Sequence, residues 1–381
     1  YGCPTRAPNQ INLYDLLPYV FFYFCENYRR KMLYFFLRKV IFQDMKEILK
    51  RNILSIFILC LSSGLAWAQK PSFILPVECK LDEDCWLVNY VDVNPEENIA
   101  EDFRCGPKSF DTHKGTDIGL RSRAEMRKGV NVLAAADGKI LRFRDGEPDS
   151  VKTREEQDQL RELRKECGNG IFIDHSGGLQ TIYCHLKQES ISIESGDNVK
   201  AGDIIGQVGQ SGIADFPHLH FGIIWENGIV DPFTGHLNTE GCGKFKQTLW
   251  ADEALMTYDP VAIYDGGFRS TIPDFEKIKD GEANPAIMRN DGEALVFWAS
   301  FFGLRKSDKI TLEIVDSQGR MFKKQEITQD KDIARQFYYT GRKLQGGTIP
   351  PGLYTGRVIV EREGLKGAIA EREGLLWNAK G

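Results

Sequence analysis

The sequence predicts a mostly β protein, in which an antiparallel β-sheet domain is followed by a small β-sandwich domain. The antiparallel domain is predicted by short runs rich in β-branched and aromatic residues, at residues 131–136, 139–143, 170–174 and 180–185. Glycine and aspartate separate these runs, as in sheets whose strands are joined by tight turns. Between the last two runs, His175-Ser-Gly-Gly-Leu179 is typical of a β-hairpin. We therefore expect one antiparallel domain over residues 113–264.

The β-sandwich is predicted by a change in the sequence from about residue 266 onward. Further runs at strand length are apolar or alternate between apolar and polar residues, at residues 294–299, 309–315 and 352–360. Residues 265–381 contain neither histidine nor cysteine. This second domain is therefore expected to have a structural or positioning role rather than a catalytic one.

A charged stretch interrupts the first domain, within an insertion at about residues 144–167. Residues 150–166 have a helix-forming composition with few apolar side chains, which predicts a solvated surface helix between two strands. A second interpretation is that this helix covers the functional groove of the domain.

The segment 45–68 has the order of features of a secretory signal peptide. A cationic stretch that begins at Met45 precedes an apolar run at residues 53–61 and then Ala66-Trp67-Ala68. The apolar run is short for a membrane span. We expect export without stable membrane insertion after cleavage, and an uncleaved anchor is the alternative.

Two segments flank this leader. Residues 1–44 have neither helix caps nor a sustained hydrophobic period, and they are expected to be translated upstream sequence with the true start at Met45. A native N-terminal extension is the alternative. Residues 69–112 are irregular and are expected to form an N-terminal arm packed on the next domain.

The charge of the chain argues against a nucleic-acid partner. The protein has 49 basic and 54 acidic side chains, and residues 1–68 hold nine of the former and four of the latter. The remainder therefore carries 40 basic and 50 acidic groups. Since phosphate binding requires a basic surface, we expect no nucleic acid to bind.

The cysteines favour an oxidising compartment. Six of the nine follow the predicted signal peptide, an even number that is typical of disulfides in an exported protein. Six cysteines allow fifteen pairings, and the sequence does not choose among them. A cysteine-ligated zinc site is the rival interpretation, but no C-x-x-C pair supports it.

Four of the six histidines fall in three short motifs. His113 and Asp117 lie in His-Lys-Gly-Thr-Asp, His185 lies in Tyr-Cys-His-Leu, and His218 and His220 lie in Pro-His-Leu-His-Phe. Side chains two residues apart on a strand share a face, so His218 and His220 can reach one site. The glycine between His113 and Asp117 allows a sharp turn. Each motif alone is explained by a surface pair or by packed histidines, but together they favour catalytic zinc, which two imidazoles and a carboxylate can bind.

These motifs resemble those of the lysostaphin-type zinc endopeptidases of bacterial cell walls. The resemblance covers about residues 105–235 and includes segments outside the motifs, at residues 134–138, 168–175, 196–206 and 230–232. It implies a zinc peptidase domain within the antiparallel part of the chain. The departures are the charged insertion and the extra cysteines, of which Cys184 could brace the strand next to His185.

The resemblance also assigns roles to the five motif residues. It implies that one zinc ion is bound by His113, Asp117 and His220, and that His185 and His218 are the catalytic pair beside the metal. A neutral histidine can take a proton from water, and a second can stabilise the oxyanion. Which of the pair does which is left open.

The function that follows is hydrolysis of peptide cross-links in bacterial peptidoglycan by a metal-activated water. Because all five motif residues are present, an enzyme is favoured over a non-enzymatic cell-wall-binding regulator of another hydrolase. A secreted peptidase acting on proteins is a third interpretation. The expected location is the cell wall, periplasmic or extracellular, and the oligomeric state is not predicted.

Overall fold

The structure, a computed structural model, describes residues 72–252, 258–282, 293–343, 352–364, 370–373 and 377–378. The predicted signal peptide and upstream segment lie outside these residues. The described chain is mostly β and the ladders between its strands are antiparallel, which confirms the predicted fold class. Among the described residues, no helix has the length and apolar character needed to cross a membrane.

Eight strands form the main sheet of the first domain: β1 (Cys85–Asn89), β2 (Thr116–Leu120), β4 (Gly138–Arg144), β5 (Asn169–Asp174), β6 (Leu179–Leu186), β7 (Asn198–Val199), β9 (His218–Trp225) and β10 (Gly228–Val230). Their order is β1-β2-β9-β6-β5-β4-β7, and β10 pairs with β9. A separate two-stranded sheet contains β3 (Asn131–Leu133) and β8 (Ile204–Gln207).

The predicted hairpin joins β5 to β6. Asp174 pairs with Gln180 at its end, and the turn residues Ser176, Gly177 and Gly178 all have positive φ. Two consecutive glycines adopt this left-handed backbone without the steric cost that a Cβ atom imposes. The turn therefore fixes the register of β6, the strand that carries His185.

The strand order brings the three motifs onto neighbouring strands. Asp117 on β2 lies opposite His220 on β9, and Gly119 lies opposite His218. On the other side of β9, Cys184 of β6 lies opposite His220. Segments far apart in sequence thus meet at the centre of the sheet.

Large apolar side chains from the arm and the sheet form the core of the first domain. Phe73 and Tyr90 come from the arm, and Ile118, Tyr183 and Phe221 come from strands; all are fully buried. Burial of each such side chain contributes about 1.5–3 kcal/mol. The hydroxyl of Tyr183 accepts a hydrogen bond from a backbone N–H at 2.8 Å, which satisfies its polar atom. This packing supports the sheet that carries the histidine motifs.

Two sheets form the β-sandwich. One contains β11 (Ala262–Arg269), β12 (Ala294–Leu304) and β15 (Ile333–Lys343), and the other contains β13 (Lys309–Val315), β14 (Met321–Thr328), β16 (Leu353–Glu361), β17 (Ala370–Glu373) and β18 (Trp377–Asn378). Both sheets contribute to one apolar core, in which Leu295 and Phe301 meet Leu312 and Val358. The expected boundary after residue 264 falls within β11.

A second apolar cluster joins the two domains. It combines side chains of β1 and Phe216 with side chains of β11 and β12, namely Trp86, Val88, Phe216, Ala262, Tyr264 and Phe302. Arg335 of β15 lies over the rings of Phe216 and Phe302 and donates to the carbonyl of Arg121 at 2.9 Å. The β-sandwich is therefore held against the first domain by apolar packing and by hydrogen bonds.

Three short helices are present in the described residues: α1 (Arg123–Lys128), α2 (Arg154–Glu162) and α3 (Phe275–Asp280). Helix α2 is the surface helix predicted from the charged insertion. Thr153 and Glu156 form a capping box at its N-terminus, and Leu160 is the residue of α2 that is buried. One apolar contact and a capped end thus hold an otherwise solvated helix.

The six cysteines that follow the predicted signal peptide form three disulfides, which confirms the predicted disulfides. They pair Cys79 with Cys85, Cys105 with Cys242, and Cys167 with Cys184. The last of these joins the C-terminal end of the charged insertion to β6, directly before His185.

Candidate metal centre

The structure brings the three expected metal ligands together. The Nε2 atom of His113 lies 3.1 Å from Oδ1 of Asp117 and 3.1 Å from Nδ1 of His220. That Nδ1 lies 2.9 Å from the same carboxylate oxygen. Tetrahedral bonds of about 2.0–2.1 Å place neighbouring ligand atoms about 3.3 Å apart. One atom from each residue therefore fits around a single zinc-sized ion.

Gly115, between the first two ligands, makes room for the third. A Cβ atom at this position would lie 2.6 Å from Nε2 of His220 and 2.7 Å from the carbonyl oxygen of Phe221. The glycine is thus required for the close approach of β9 to this loop, and the backbone also bends at Gly115, as the sequence suggested.

Neighbouring groups orient the ligands. Asn89 donates from Nδ2 to Oδ2 of Asp117 at 2.9 Å, which leaves Oδ1 for the shared position. The Nδ1 atom of His113 lies 2.7 Å from the carbonyl oxygen of Tyr90. Because a carbonyl only accepts, Nδ1 carries the proton and Nε2 presents a lone pair, as a metal ligand must.

His185 and His218 lie side by side next to this cluster. Their ring centroids are 4.6 Å apart, and Nε2 of His218 lies 3.7 Å from Oδ1 of Asp117. Both side chains are buried. Their Nδ1 atoms donate to the carbonyl oxygens of Ser211 and Phe216, each at 2.8 Å. The Nε2 atom of each ring is therefore the nitrogen that is available for proton transfer.

The backbone of His185 is unusual for a side chain of its size. Its φ of 63° lies in the left-handed region, which non-glycine residues adopt at a cost. Its N–H donates to the carbonyl oxygen of Cys167 at 2.8 Å, and Cys167 is bonded to Cys184. The disulfide and this hydrogen bond hold the strained backbone in place.

The shifted pKa values of the site favour a charged Asp117 and neutral His185 and His220, and these are the forms of aspartate and histidine that bind metals. Burial opposes the charge of Asp117, but the neighbouring histidines and their hydrogen bonds hold the pKa of this carboxyl well below its usual range. Burial and the imidazoles of His218 and His220 lower the pKa of His185 well below its usual value. Burial also lowers the pKa of His220, whereas Asp117 outweighs burial at His113 and raises its pKa. At neutral pH, His185 and His220 are therefore neutral beside a charged carboxylate.

The five residues line a single cavity of about 460 Å³. Its remaining wall comes from the arm, from helix α2, from the loop before β9 and from the β-sandwich, through Asn89, Lys108, Ser109, Phe110, Gln157, Arg161, Ile213, Ala214, Asp215, Phe216, Gly303, Arg305, Asp332, Ile333 and Ala334. Helix α2 is thus both a surface helix and part of this wall.

Several residues of the site carry no motif that sequence reasoning could use. Asn89 contacts Asp117 because β1 pairs with β2, and its only signal is its place in a short β-rich run. The ring of Phe110 lies 4.3 Å from that of His113 and is half exposed. Arg305 belongs to the β-sandwich, and no sequence motif marks it as a residue of the site.

The two histidines outside the motifs lie away from the cavity. His175 contacts the carbonyl oxygen of Asp137 at 2.7 Å and the hydroxyl of Thr181 at 2.8 Å. His236 pairs with Glu240 at 2.7 Å. Neither lines the cavity wall.

Comparison with known proteins relates this site to characterised ones. The sequence profile of peptidase family M23 matches residues 111–232, which include all five residues. The DD-carboxypeptidase/endopeptidase Mpg of Neisseria meningitidis serogroup B is 41% identical over 54 residues, 14% of this chain and 12% of the relative. The peptidoglycan DD-endopeptidase ShyB of Vibrio cholerae serotype O1 is 28% identical over 125 residues, 33% of this chain and 23% of the relative.

A third relative and one solved structure extend the comparison. The glycyl-glycine endopeptidase ALE-1 of Staphylococcus capitis is 28% identical over 137 residues, 36% of this chain and 30% of the relative. The chain thus spans less than a third of the length of these relatives. The catalytic domain of the antimicrobial peptidase lysostaphin from Staphylococcus simulans is 27% identical, with a TM-score of 0.23 over 32% of this chain and 77% of that chain.

Proposed function

We propose that this protein is a zinc metalloendopeptidase that hydrolyses the peptide cross-links of bacterial peptidoglycan, because the profile of peptidase family M23 matches residues 111–232. The observation that carries the proposal is the convergence of three ligand atoms beside two further buried histidines in one cavity. A binding regulator requires neither group, whereas hydrolysis requires both. The name of one relative, a peptidoglycan endopeptidase, supports the substrate class.

The ligand set binds the ion, and the neighbouring groups hold that set in position. His113, Asp117 and His220 would hold the zinc ion, which would supply Lewis-acid chemistry by acidifying water and polarising a peptide carbonyl. Asn89 and the carbonyl of Tyr90 orient Asp117 and His113, so the geometry is set before substrate binds.

His185 and His218 handle the protons. With Nδ1 bonded to a carbonyl, the Nε2 atom of one neutral ring takes a proton from the attacking water. The other ring, when protonated at Nε2, donates to the oxygen that gains negative charge, and the proton taken from water passes to the amine nitrogen as the C–N bond breaks. The lowered pKa of His185 keeps this ring neutral at pH 7.

The proposed place of action is the cell wall, reached by export. Three disulfides in the described residues support an oxidising destination, because such bonds persist outside the reducing cytosol. The substrate is then met in the periplasm or outside the cell.

A digest of purified peptidoglycan tests the proposal. The zinc-loaded protein should release new amino groups from the polymer, and mass spectrometry of the fragments should identify the cleaved bond. A zinc-loaded His185→Ala protein is the matched control and should release few. A protein substrate in a parallel digest tests the interpretation as a general peptidase. If no amino groups appear while a separate hydrolase is activated, the regulator is the better description.

A further inference from the structure

The β-sandwich forms part of the wall of the proposed active site. Gly303 and Arg305, at the end of β12, and Asp332 to Ala334, at the start of β15, line the same cavity as His185 and His218. These residues lie in the domain that carries no candidate catalytic side chain. Their position indicates a role in binding the substrate.

This part of the wall is fixed rather than loosely apposed. Phe302, two residues before the end of β12, packs against Phe216, whose own ring lies 4.7 Å from that of His218. Arg362 donates to the carbonyl of Gly303 at 3.0 Å and pairs with Asp308 at 2.8 Å. The wall therefore keeps a defined position relative to the histidines.

Arg305 is the cationic group of this wall. Its Nη1 donates to Oδ2 of Asp332 at 3.3 Å, and its backbone N–H donates to Asp308 at 2.8 Å. The Arg305 side chain is 20% exposed, whereas that of Asp332 is 58% exposed and largely hydrated. Such a screened pair contributes little by itself. Among the described residues, this carboxylate is the one protein acceptor of the guanidinium, so four of its five N–H groups have no acceptor there.

We propose that Arg305 binds a carboxylate of the substrate peptide, which makes the β-sandwich part of the specificity site. The inference rests on the proposed function, because cross-link peptides of peptidoglycan carry free carboxyl groups. A guanidinium binds carboxylates through paired, charge-assisted hydrogen bonds. Ile333 and Ala334 add apolar surface beside it for the aliphatic part of the same peptide. Arg305 holds one end of the peptide while the metal centre receives the scissile bond.

The test compares Arg305→Gln with Lys306→Gln on two forms of one substrate. The substrate is a synthetic dimer of two stem peptides joined by a cross-link, prepared with free carboxyl groups or with primary amides in their place. Lys306 is the adjacent exposed cation and does not line the cavity, so its substitution makes the same charge change outside the site. Arg305→Gln should raise KM for the free form about 10- to 100-fold, as expected for loss of a hydrogen bond to a charged group. Its kcat, zinc content and KM for the amidated form should stay at wild-type values, and Lys306→Gln should change none of these.

Equal effects of Arg305→Gln on both forms, or equal effects of the two variants, would overturn the inference. Calorimetric titration of both dimers into the wild type and Arg305→Gln separates binding from cleavage. If the wild type cleaves neither dimer but binds the free form more tightly through Arg305, the proposed function fails and this inference stands. Cleavage of both forms with equal affinity contradicts the inference alone.

Discussion

Backbone carbonyls determine which ring nitrogen of each site histidine takes part in chemistry. The carbonyls of Tyr90, Ser211 and Phe216 accept from Nδ1 of His113, His185 and His218. Each of these three rings therefore presents Nε2 to the cavity side of the site. His220 differs, because its Nδ1 contacts Asp117. For these three rings the orienting acceptors are thus main-chain groups rather than side chains.

Single substitutions at His218 and His220 should separate metal binding from catalysis. His220→Ala removes a ligand and should lose both zinc and activity. His218→Ala should keep near-stoichiometric zinc and lose about 10²–10⁴-fold in rate, the usual effect of a missing general base or oxyanion donor. Elemental analysis alongside turnover, on folded variants, provides the measurement.

His236→Ala is the matched control for this pair, since His236 contacts Glu240 away from the cavity. It should keep wild-type zinc and rate. Loss of zinc from His218→Ala but not from His220→Ala would reverse the two assignments. Unchanged zinc content in both variants would contradict the proposed metal centre itself.

Asp231 should make the stability of the metal-free protein depend on pH. Burial raises the pKa of this carboxyl from 3.8 to about 6, although its Oδ1 accepts from Phe233 and Thr234. A raised folded-state pKa means that the stabilising contribution is complete below 3.8 and is lost as the pH rises through 6. Relative to Asp231→Asn, the wild type should gain up to about 3 kcal/mol in unfolding free energy between pH 7 and pH 4. Urea unfolding of both proteins at several pH values measures the difference, and a constant difference would contradict the shift.

At the scale of elements, the Cys167–Cys184 disulfide fixes the end of β6 where His185 adopts positive φ. Replacing both cysteines with serine should leave zinc bound, because the three ligands lie on other segments. It should lower kcat, since the Nε2 atom of His185 loses its fixed position. Unfolding free energy should fall by about 3 kcal/mol, as for other loops of this length. Zinc content, kcat and urea unfolding are the measurements.

The Cys79–Cys85 pair provides the control for this substitution. It closes a short loop before β1 and does not involve the candidate catalytic strand. Its serine variant should lose stability without a matching loss of kcat. If both double variants lose kcat equally, the lower kcat results from a general loss of stability and not from displacement of His185.

Strands with clear apolar patterns were predicted, and two edge strands of the β-sandwich were not. The hairpin at residues 175–179 and the strands β12, β13 and β16 follow from their β-branched and apolar residues. By contrast, β14 and β15 lie at the edges of their sheets and are largely exposed or only partly buried. An edge strand gains its structure from pairing with one neighbour, so its own sequence has little apolar signal.

At the scale of the whole molecule, the metal should stabilise the fold as well as support the reaction. A ligand that binds only the folded state at 100 to 1,000 times its Kd adds about 3–4 kcal/mol. A chelator should therefore lower the thermal midpoint by several degrees and abolish peptidoglycan cleavage, and added zinc should restore both. His220→Ala should unfold at the same temperature with and without chelator. A chelator effect of equal size in this variant would indicate a different metal site.

Some residues of the site could be predicted from the sequence, and others could not. The five motif residues lie within one domain, and the spacing of the histidines within short sequence motifs allowed their prediction. The wall residues of the β-sandwich, such as Arg305 and Ile333, enter the cavity through the docking of Phe302 and Arg335 against Phe216. Docking of this kind depends on the complementary shapes of two surfaces, and no short sequence pattern predicts it.

The register between β2 and β9 has a consequence for folding. Asp117 lies opposite His220, although 103 residues separate them in the chain. Side chains alternate along a strand, so a shift of one residue would turn one strand's ligands to the opposite face of the sheet. Such a misaligned sheet would not present three ligands to one point. A metal ion bound at this point would therefore add its binding free energy to the native alignment alone, and would favour the native strand pairing over a shifted one.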